Sequence, residues 1–386
     1  MKTVFITCLH LKHGGVEKAI ASLANALTEE DYQVIILCTY RLCEPAYKMN
    51  SKVRIRYLTS RKPNRDAFCA AVKKHHFFAV FKEGIMGVRT LYLKKATMKK
   101  AIRGISSGAV IATRNEHALL LSKYGKPGVL KIAQLHSDHH FDPKLISNFR
   151  NGYSHIDYFV LLTDKTASEV KQMMKGYNAH TQCVTIPNFV EPCNLYGKYP
   201  KKKQIIAAGR LHPDKNFASL LQIWAKVIQR KPDFCLLIAG EGPLEHTLKQ
   251  QAVSLGIADS VRFTGALPHE QLLIEMAQSY CYALTSVSES FGLVLVESMM
   301  CGTPPVSYCV RVGPEAIIDD GVNGYLVPDG DEKQFADRIV ELIENDALRT
   351  KMGQNAVTKA AVFYKDRVMP KWNAILGNGE SGTDAS

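Results

Sequence analysis

Glu289-Ser290-Phe291-Gly292-Leu293-Val294-Leu295-Val296-Glu297-Ser298, running on to Cys301-Gly302-Thr303-Pro304, is the stretch from which the rest of the chain is read. Glu289 stands just before Phe291-Gly292-Leu293, whose backbone N–H groups open a helix expected over Leu293–Met300. Unpaired donors at a helix start bind anions and hydroxyls well. Glu297 comes eight residues after Glu289, about 2.2 turns on, so the two carboxylates lie close to one face. The apolar run between them puts Glu297 at a buried end. Paired carboxylates of this kind accept hydrogen bonds from sugar or ribose hydroxyls. The plainer reading is an amphipathic structural helix with two solvated glutamates.

Two strand ends upstream share this design. Ala208-Gly209-Arg210-Leu211-His212-Pro213-Asp214-Lys215-Asn216 closes a strand expected over Gln204–Ala208. Arg210 and Lys215 emerge where open α/β sheets bind ligands, and two cations there suit a diphosphate. Ile238-Ala239-Gly240-Glu241-Gly242-Pro243-Leu244 is again a strand end entering a Gly-rich turn, either a nucleotide-lining loop or a common turn.

In the first half, Gly14-Gly15-Val16-Glu17 follows the first strand and opens a helix. A helix N-terminus there favours a phosphate, although a tight turn explains the glycines equally well. Gln134-Leu135-His136-Ser137-Asp138-His139-His140 invites a metal reading, but adjacent ligands without a partner cluster support it poorly. One histidine projecting toward a ligand fits better, with His139 and His140 as ordinary loop residues.

Strand-like and helix-like stretches alternate along both halves. Strands are expected at Thr3–Leu9, Gln33–Cys38, Val53–Leu58, Ala109–Thr113, Lys131–His136, Tyr158–Thr163 and Val184–Ile186. A linker rich in Pro, Gly and Lys follows at 188–203, and the second half repeats the scheme. Continuous apolar strands with intervening helices predict a doubly wound α/β sheet in each half. The 386 residues also exceed what one hydrophobic core usually holds.

No apolar run is long enough to span a membrane. The ten cysteines include no Cys-x-x-Cys and read as free thiols of a reducing compartment. The chain carries 49 Lys+Arg against 36 Asp+Glu, a net charge of +13. Residues 41–103 alone hold 17 basic and 3 acidic residues. Basic residues mixed with aromatics, as in 73–82, suit an anionic surface: a bilayer or a nucleic acid. A merely solvated basic face is the third reading.

Taken in order, Gly-Arg-Leu-x3-Lys-Asn, Ala-Gly-Glu-Gly-Pro, Glu-Ser-Phe-Gly-Leu-x3-Glu-Ser, Cys-Gly-Thr-Pro and Gly-x-Asn-Gly-x-Leu-Val resemble the retaining glycosyltransferases of family 4, of the bacterial surface-polysaccharide type. The resemblance is strong over about 183–330. It implies the GT-B fold, two Rossmann-like doubly wound parallel-sheet domains facing across a cleft. Residues 1–190 would form the acceptor-binding domain and 191–365 the nucleotide-sugar domain. A C-terminal helix over 366–377 would cross back to the first domain, and 378–386 would be a disordered tail.

The resemblance also implies roles. Arg210 and Lys215 hold the donor diphosphate as it leaves, and Glu289 sits by the donor sugar. Backbone N–H groups of Phe291, Gly292 and Leu293 contact sugar and phosphate, and Glu297 binds the ribose hydroxyls. Gly209, Gly240 and Arg262 belong to the nucleotide pocket. Gly15 approaches the donor phosphate from the other domain, and His136 lies near the transferred sugar.

A nucleotide-diphosphate sugar is the expected donor, UDP-sugar favoured, with no metal or other cofactor. The acceptor is a lipid-linked or polymeric glycan. An anionic membrane surface is met through the basic segment 41–103, with no nucleic acid partner. The expected location is cytoplasmic, peripheral on the inner face of the plasma membrane. Alternatives are an epimerase or phosphorylase on the same fold, or a basic binding protein without catalysis. Three departures stand out: Ser290 where Gly is frequent, Pro305 after Pro304, and Arg311-Val312-Gly313-Pro314-Glu315 with one glycine fewer than usual.

Overall fold

A computed structural model describes residues 2–60 and 65–377, without the side chains of 65–67. The expected tail 378–386 lies outside the described residues. The described residues of the chain divide into two units: those within 2–161, 167–186 and 371–377 form the first, and 162–166 with 187–370 the second.

The first unit is built on seven strands: β1 (Thr3–Cys8), β2 (Gln33–Tyr40), β3 (Arg54–Thr59), β4 (Ala109–Ala112), β5 (Leu130–Gln134), β6 (Tyr158–Leu161) and β7 (Gln182–Thr185). They pair in parallel in the order β3-β2-β1-β4-β5-β6-β7, with Thr3 opposite Gln33 and Val4 opposite Ala109. Val4, Ile6, Val34, Ile36 and Ile111 are fully buried. Such strands need apolar residues on both faces, which is why they read as continuous apolar runs. The strand order reverses between β1 and β4, where ligands of such sheets gather.

The helices are α1 (Gly15–Glu29), α2 (Arg65–Lys73), α3 (Phe77–Arg103), α4 (Asn115–Tyr124), α5 (Pro143–Ser147) and α6 (Asp164–Met174). Sequence reading did not foresee α3, with its 27 residues. Its buried residues are Thr90, Met98, Ala101 and Ile102, so most of its apolar side chains do not mark a core face.

The second unit holds β8 (Gln204–Ala208), β9 (Cys235–Ala239), β10 (Val261–Gly265), β11 (Tyr282–Leu284), β12 (Pro305–Cys309) and β13 (Tyr325–Pro328), all parallel, in the order β10-β9-β8-β11-β12-β13. Its helices are α7 (Phe217–Arg230), α8 (Glu245–Ser254), α9 (His269–Gln278), α10 (Leu293–Met300), α11 (Pro314–Ile317), α12 (Glu332–Glu344), α13 (Asp346–Ala360) and α14 (Lys365–Gly377). One core layer gathers Trp224, Phe335, Tyr308 and Leu236, and another gathers Met276, Leu295, Phe291 and Tyr282. The sheet is therefore covered on both faces.

The last residues of α14, from Lys371, belong to the first unit, and there the Lys2 ammonium donates to the Leu376 carbonyl. No described helix is long and apolar enough to cross a membrane. Cys8, Cys38 and Cys281 are buried thiols inside strands or at their edges, whereas Cys235 and Cys309 are half-buried. Trp224 is wholly buried, and its indole N–H donates to Ser260 Oγ at 2.9 Å. Trp224→Ala removes that packing and the indole donor, while Ser260 Oγ keeps its bond to the Ile257 carbonyl, so the change is expected to cost about 3–5 kcal/mol. A large drop in melting temperature, much smaller for Trp224→Phe, checks this.

Candidate active site

The carboxyl ends of β8, β9, β10 and β11 carry the second unit's polar groups. Two loops there are sewn together. The Lys215 ammonium meets Glu289 Oε1 at 2.5 Å. Ser286 Oγ donates to the same oxygen at 2.8 Å. Thr285 Oγ1 donates to the Lys215 and Asn216 carbonyls at 3.2 and 3.1 Å, and the Val287 N–H donates to the Asp214 carbonyl at 3.0 Å. Lys215 and Glu289 are only 20% and 11% exposed, so water screens them little. Arg210, more exposed, stands 3.4 Å from Asp214 Oδ2. Asp214 Oδ1 also pairs with His212 Nδ1 at 2.5 Å. Both cations predicted for a diphosphate are thus held on carboxylates at one sheet edge.

Backbone geometry sets that edge. Tyr282 on β11 donates its hydroxyl to the Ala208 carbonyl at 2.9 Å and accepts the Ala208 N–H at 3.2 Å. The end of β8, just before Gly209 and Arg210, is therefore clamped from the neighbouring strand. Gly240, at φ +147°, lies so close to Gly209 that a Cβ would stand 1.8 Å from the Gly209 carbonyl oxygen. No other residue fits that approach. Gly292 caps α10 with no side-chain hydrogen bond, and Leu293 follows as its first residue. Phe291 is buried against Phe363, their rings 5.4 Å apart, so its ring belongs to the core.

Glu297 lies about one turn into α10 and is almost wholly buried, as its apolar neighbours imply. His269, the first residue of α9, brings Nε2 to 3.1 Å from its Oε1. Sequence reading missed His269, because nothing local links it to a carboxylate 28 residues away. It also missed what Gly313 does. At φ +92°, a Cβ on Gly313 would sit 3.0 Å from the Phe291 carbonyl oxygen and 3.1 Å from Glu289 Cβ and O. The glycine retained in Arg311–Glu315 is the one that backs Glu289.

Arg262 requires a correction. It lies near the start of β10, and its guanidinium is 3.8 Å from Glu275 Oε2. Glu275 Oε2 also accepts from Gln204 Nε2 at 2.9 Å, at the start of β8. Arg262 therefore sits at the opposite end of the sheet from Gly209, Arg210 and Gly240. The residues from this strand that reach the site edge are Gly265, whose carbonyl accepts the Gly240 N–H at 2.8 Å, and Ala266, whose N–H donates to Glu241 Oε1 at 3.4 Å.

In the first unit, Gly15 starts α1 with no side-chain cap, and nothing lies within 4 Å of where its Cβ would be. Beside it, His10 Nδ1 stands 3.3 Å from Glu17 Oε1. His136 follows β5, and burial pushes its imidazole down to about 4, so the ring is neutral at pH 7. His139, in contrast, is fully buried on Glu169 at 2.8 Å and serves packing. Among the described residues, no group of three or more His, Cys, Asp and Glu side chains is placed to hold a metal ion.

Two outcomes follow. Gly313→Ala forces a side chain into a left-handed backbone position against Glu289, a strain of about 1–3 kcal/mol. It should lower the melting temperature more than Gly330→Ala, which is also at positive φ but has nothing within 4 Å of its Cβ. The second outcome concerns pH. Burial also lowers His117 to about 4. Between about pH 4 and the unfolded value near 6.5, the unfolded chain binds more protons at His117 and His136 than the folded one. Their stabilisation is complete above pH 6.5 and lost as the pH falls toward 4. Melting curves at pH 7.0, 5.5 and 4.5 read this slope, which His117→Gln should make shallower.

Residues 194–359 match the family model Glycosyl transferases group 1. The chain is 27% identical to an exopolysaccharide phosphotransferase of Streptomyces coelicolor, over 97% of this chain but only 40% of that protein. It is 24% identical to a Campylobacter jejuni GalNAc-alpha-(1->4)-GalNAc-alpha-(1->3)-diNAcBac-PP-undecaprenol alpha-1,4-N-acetyl-D-galactosaminyltransferase, over 97% of this chain and 98% of that protein. A point mutant of S. aureus TarM, solved in complex with fondaparinux, alpha-GlcNAc-glycerol and UDP, superposes with a TM-score of 0.78 at 16% identity, over 97% of this chain and 100% of that one. The match to the glycosyl transferases group 1 model thus falls within the second unit, and the chain shares the two-unit, parallel-sheet GT-B fold.

Proposed function

We propose that this protein is a retaining family 4 glycosyltransferase. It moves a sugar from a nucleotide-diphosphate sugar, UDP-sugar favoured, to a lipid-linked or polymeric glycan acceptor in cell-surface polysaccharide assembly. The observation that carries the reading is the Lys215–Glu289 pair at the sheet edge, with Arg210 beside it and the uncapped start of α10 following it. The acceptor class is supported by the undecaprenol-linked glycan in the Campylobacter relative's name, and the donor by UDP in the TarM structure.

The reaction breaks the bond between the anomeric carbon and the donor diphosphate, and forms a new bond to the acceptor oxygen on the same face. Positive charge develops on the sugar and negative charge on the diphosphate. Arg210 and Lys215 are cations fixed in advance where that negative charge grows, the placement that stabilises a transition state most. Lys215 is held on Glu289 until a diphosphate competes for it. Glu289 then turns its carboxylate to the sugar hydroxyls, while the N–H groups at Phe291, Gly292 and Leu293 serve phosphate and sugar. Glu297, oriented by His269, takes the ribose. The acceptor proton passes to the leaving phosphate, so neither a carboxylate nucleophile nor a metal is required. In the first unit, Gly15 and the neutral His136 serve the transferred group and its acceptor. The expected setting is the inner face of the plasma membrane, reached through the basic segment 41–103.

Thermal-shift screening of UDP-, GDP- and ADP-sugars should raise the melting temperature most with a UDP-sugar. With that donor, Arg210→Ala and Lys215→Ala should slow transfer by about 100-fold or more. Glu289→Ala should do the same. Wild-type rates in these variants would overturn the reading. Nucleotide release in step with glycan product separates transfer from epimerisation and phosphorolysis.

A further inference from the structure

The helix α3 presents an unusual surface. Phe77 (84% exposed), Phe78 (94%), Phe81 (71%), Ile85 (54%), Val88 (70%) and Tyr92 (71%) all face outward. At 100° per residue they fall within one arc of about 100°, so they form one stripe along roughly 22 Å of helix. Scattered exposed apolar residues are ordinary, but a continuous apolar stripe of this length, four of its six residues aromatic, marks an interaction surface. The stripe then changes character: Lys95, Lys99 and Arg103 continue the same arc for the last two turns. Lys99 and Arg103 are both held over the Tyr124 ring, at 4.3 and 4.8 Å from its centroid. Overall, Phe77–Arg103 carries seven basic residues and one acidic residue.

The cationic end adjoins a groove between α3 and α4, of about 380 Å³ and lined by Leu91, Lys94, Lys95, His117, Lys123 and Tyr124 among others. Lys94 is already paired with Glu116 at 2.8 Å, which leaves Lys95 and Lys123 for a ligand. His117 holds Thr7 Oγ1 through Nδ1 at 2.9 Å, and its buried Nε2 has no hydrogen-bond partner among the described residues.

We propose that α3 docks obliquely on an anionic bilayer. Its first four turns lie in the boundary between headgroups and acyl chains, and the α3–α4 groove seats a lipid phosphate. Charge complementarity selects this occupant. A second copy packed in parallel would oppose Lys95, Lys99 and Arg103 to themselves, and packed antiparallel it would bury them against phenylalanines. Only an anionic surface with an apolar interior satisfies both ends of one stripe. The change from apolar to cationic along the axis sets the tilt, because the two ends belong at different depths. This deepens the membrane part of the reading above. Vesicle binding needs neither donor nor acceptor, so it and sugar transfer can fail separately.

The full chain is sedimented with vesicles of pure phosphatidylcholine or of phosphatidylcholine with phosphatidylglycerol, about one anionic lipid in three. Binding should favour the anionic vesicles at least about tenfold. Phe78→Ser/Phe81→Ser should weaken that binding about tenfold at an unchanged melting temperature, and Lys95→Glu/Lys123→Glu should abolish the preference. In a separate variant, Phe81→Trp should be quenched by lipids brominated on the acyl chain, and Lys99→Trp should not. Four results would overturn the proposal: wild-type protein left in the supernatant, both double variants binding as wild type, a Phe78-dependent dimer by light scattering, or inorganic diphosphate occupying the groove while vesicles ignore Lys95 and Lys123.

Discussion

The contact between Lys215 and Glu289 holds the carboxyl end of the second unit's sheet in place. It joins the loop after β8 to the loop after β11, and the bonds from Thr285, Ser286 and Val287 follow the same seam. A partly buried ion pair adds little net stability, because desolvating both charges offsets most of their attraction. Its value is positional. Each group fixes the other while they are paired, and Gly313 leaves open the space beside Glu289 that any side chain there would fill. Removing either partner leaves an uncompensated charge in a site that screens it poorly.

Much of this was legible before any coordinates. The parallel strands announced themselves because burial on both faces demands unbroken apolar runs, and β8 spans Gln204–Ala208 as expected. The α10 helix runs Leu293–Met300, and Glu297 is buried because the residues around it had to be. Elsewhere the pattern was mute. The α13 helix buries Arg349, Met352, Gly353, Ala356 and Ala360, a face too small and too polar to show a periodic signal. His269 and Glu297 meet through tertiary packing that no spacing rule encodes. Arg262 misled because a cation in a nucleotide-domain strand looks available, and only the strand's direction shows which end of the sheet it occupies.

The first unit taught a different lesson about histidine and charge. The cluster His136, His139 and His140 looks like one feature in sequence, yet burial separates its members: His136 is held neutral, and His139 is taken up by Glu169. The basic excess of 41–103 was legible as a concentrated segment, but without an arrangement. In the folded chain part of it becomes ordered on a single helix, with Tyr124 acting as a platform for two of its cations. Composition registered the charge but not the helix that arranges it.

The bond from Lys2 to the Leu376 carbonyl has a consequence for dissecting the molecule. Both ends of the described chain are stitched into one unit, so the other is an excursion that leaves at 187 and returns at 370, joined by the small detour 162–166. Trimming from the carboxyl terminus would strip a helical strap from the first unit before reaching the second. An isolated second unit would have to be excised at both ends, and an isolated first unit would need its severed ends rejoined across the gap.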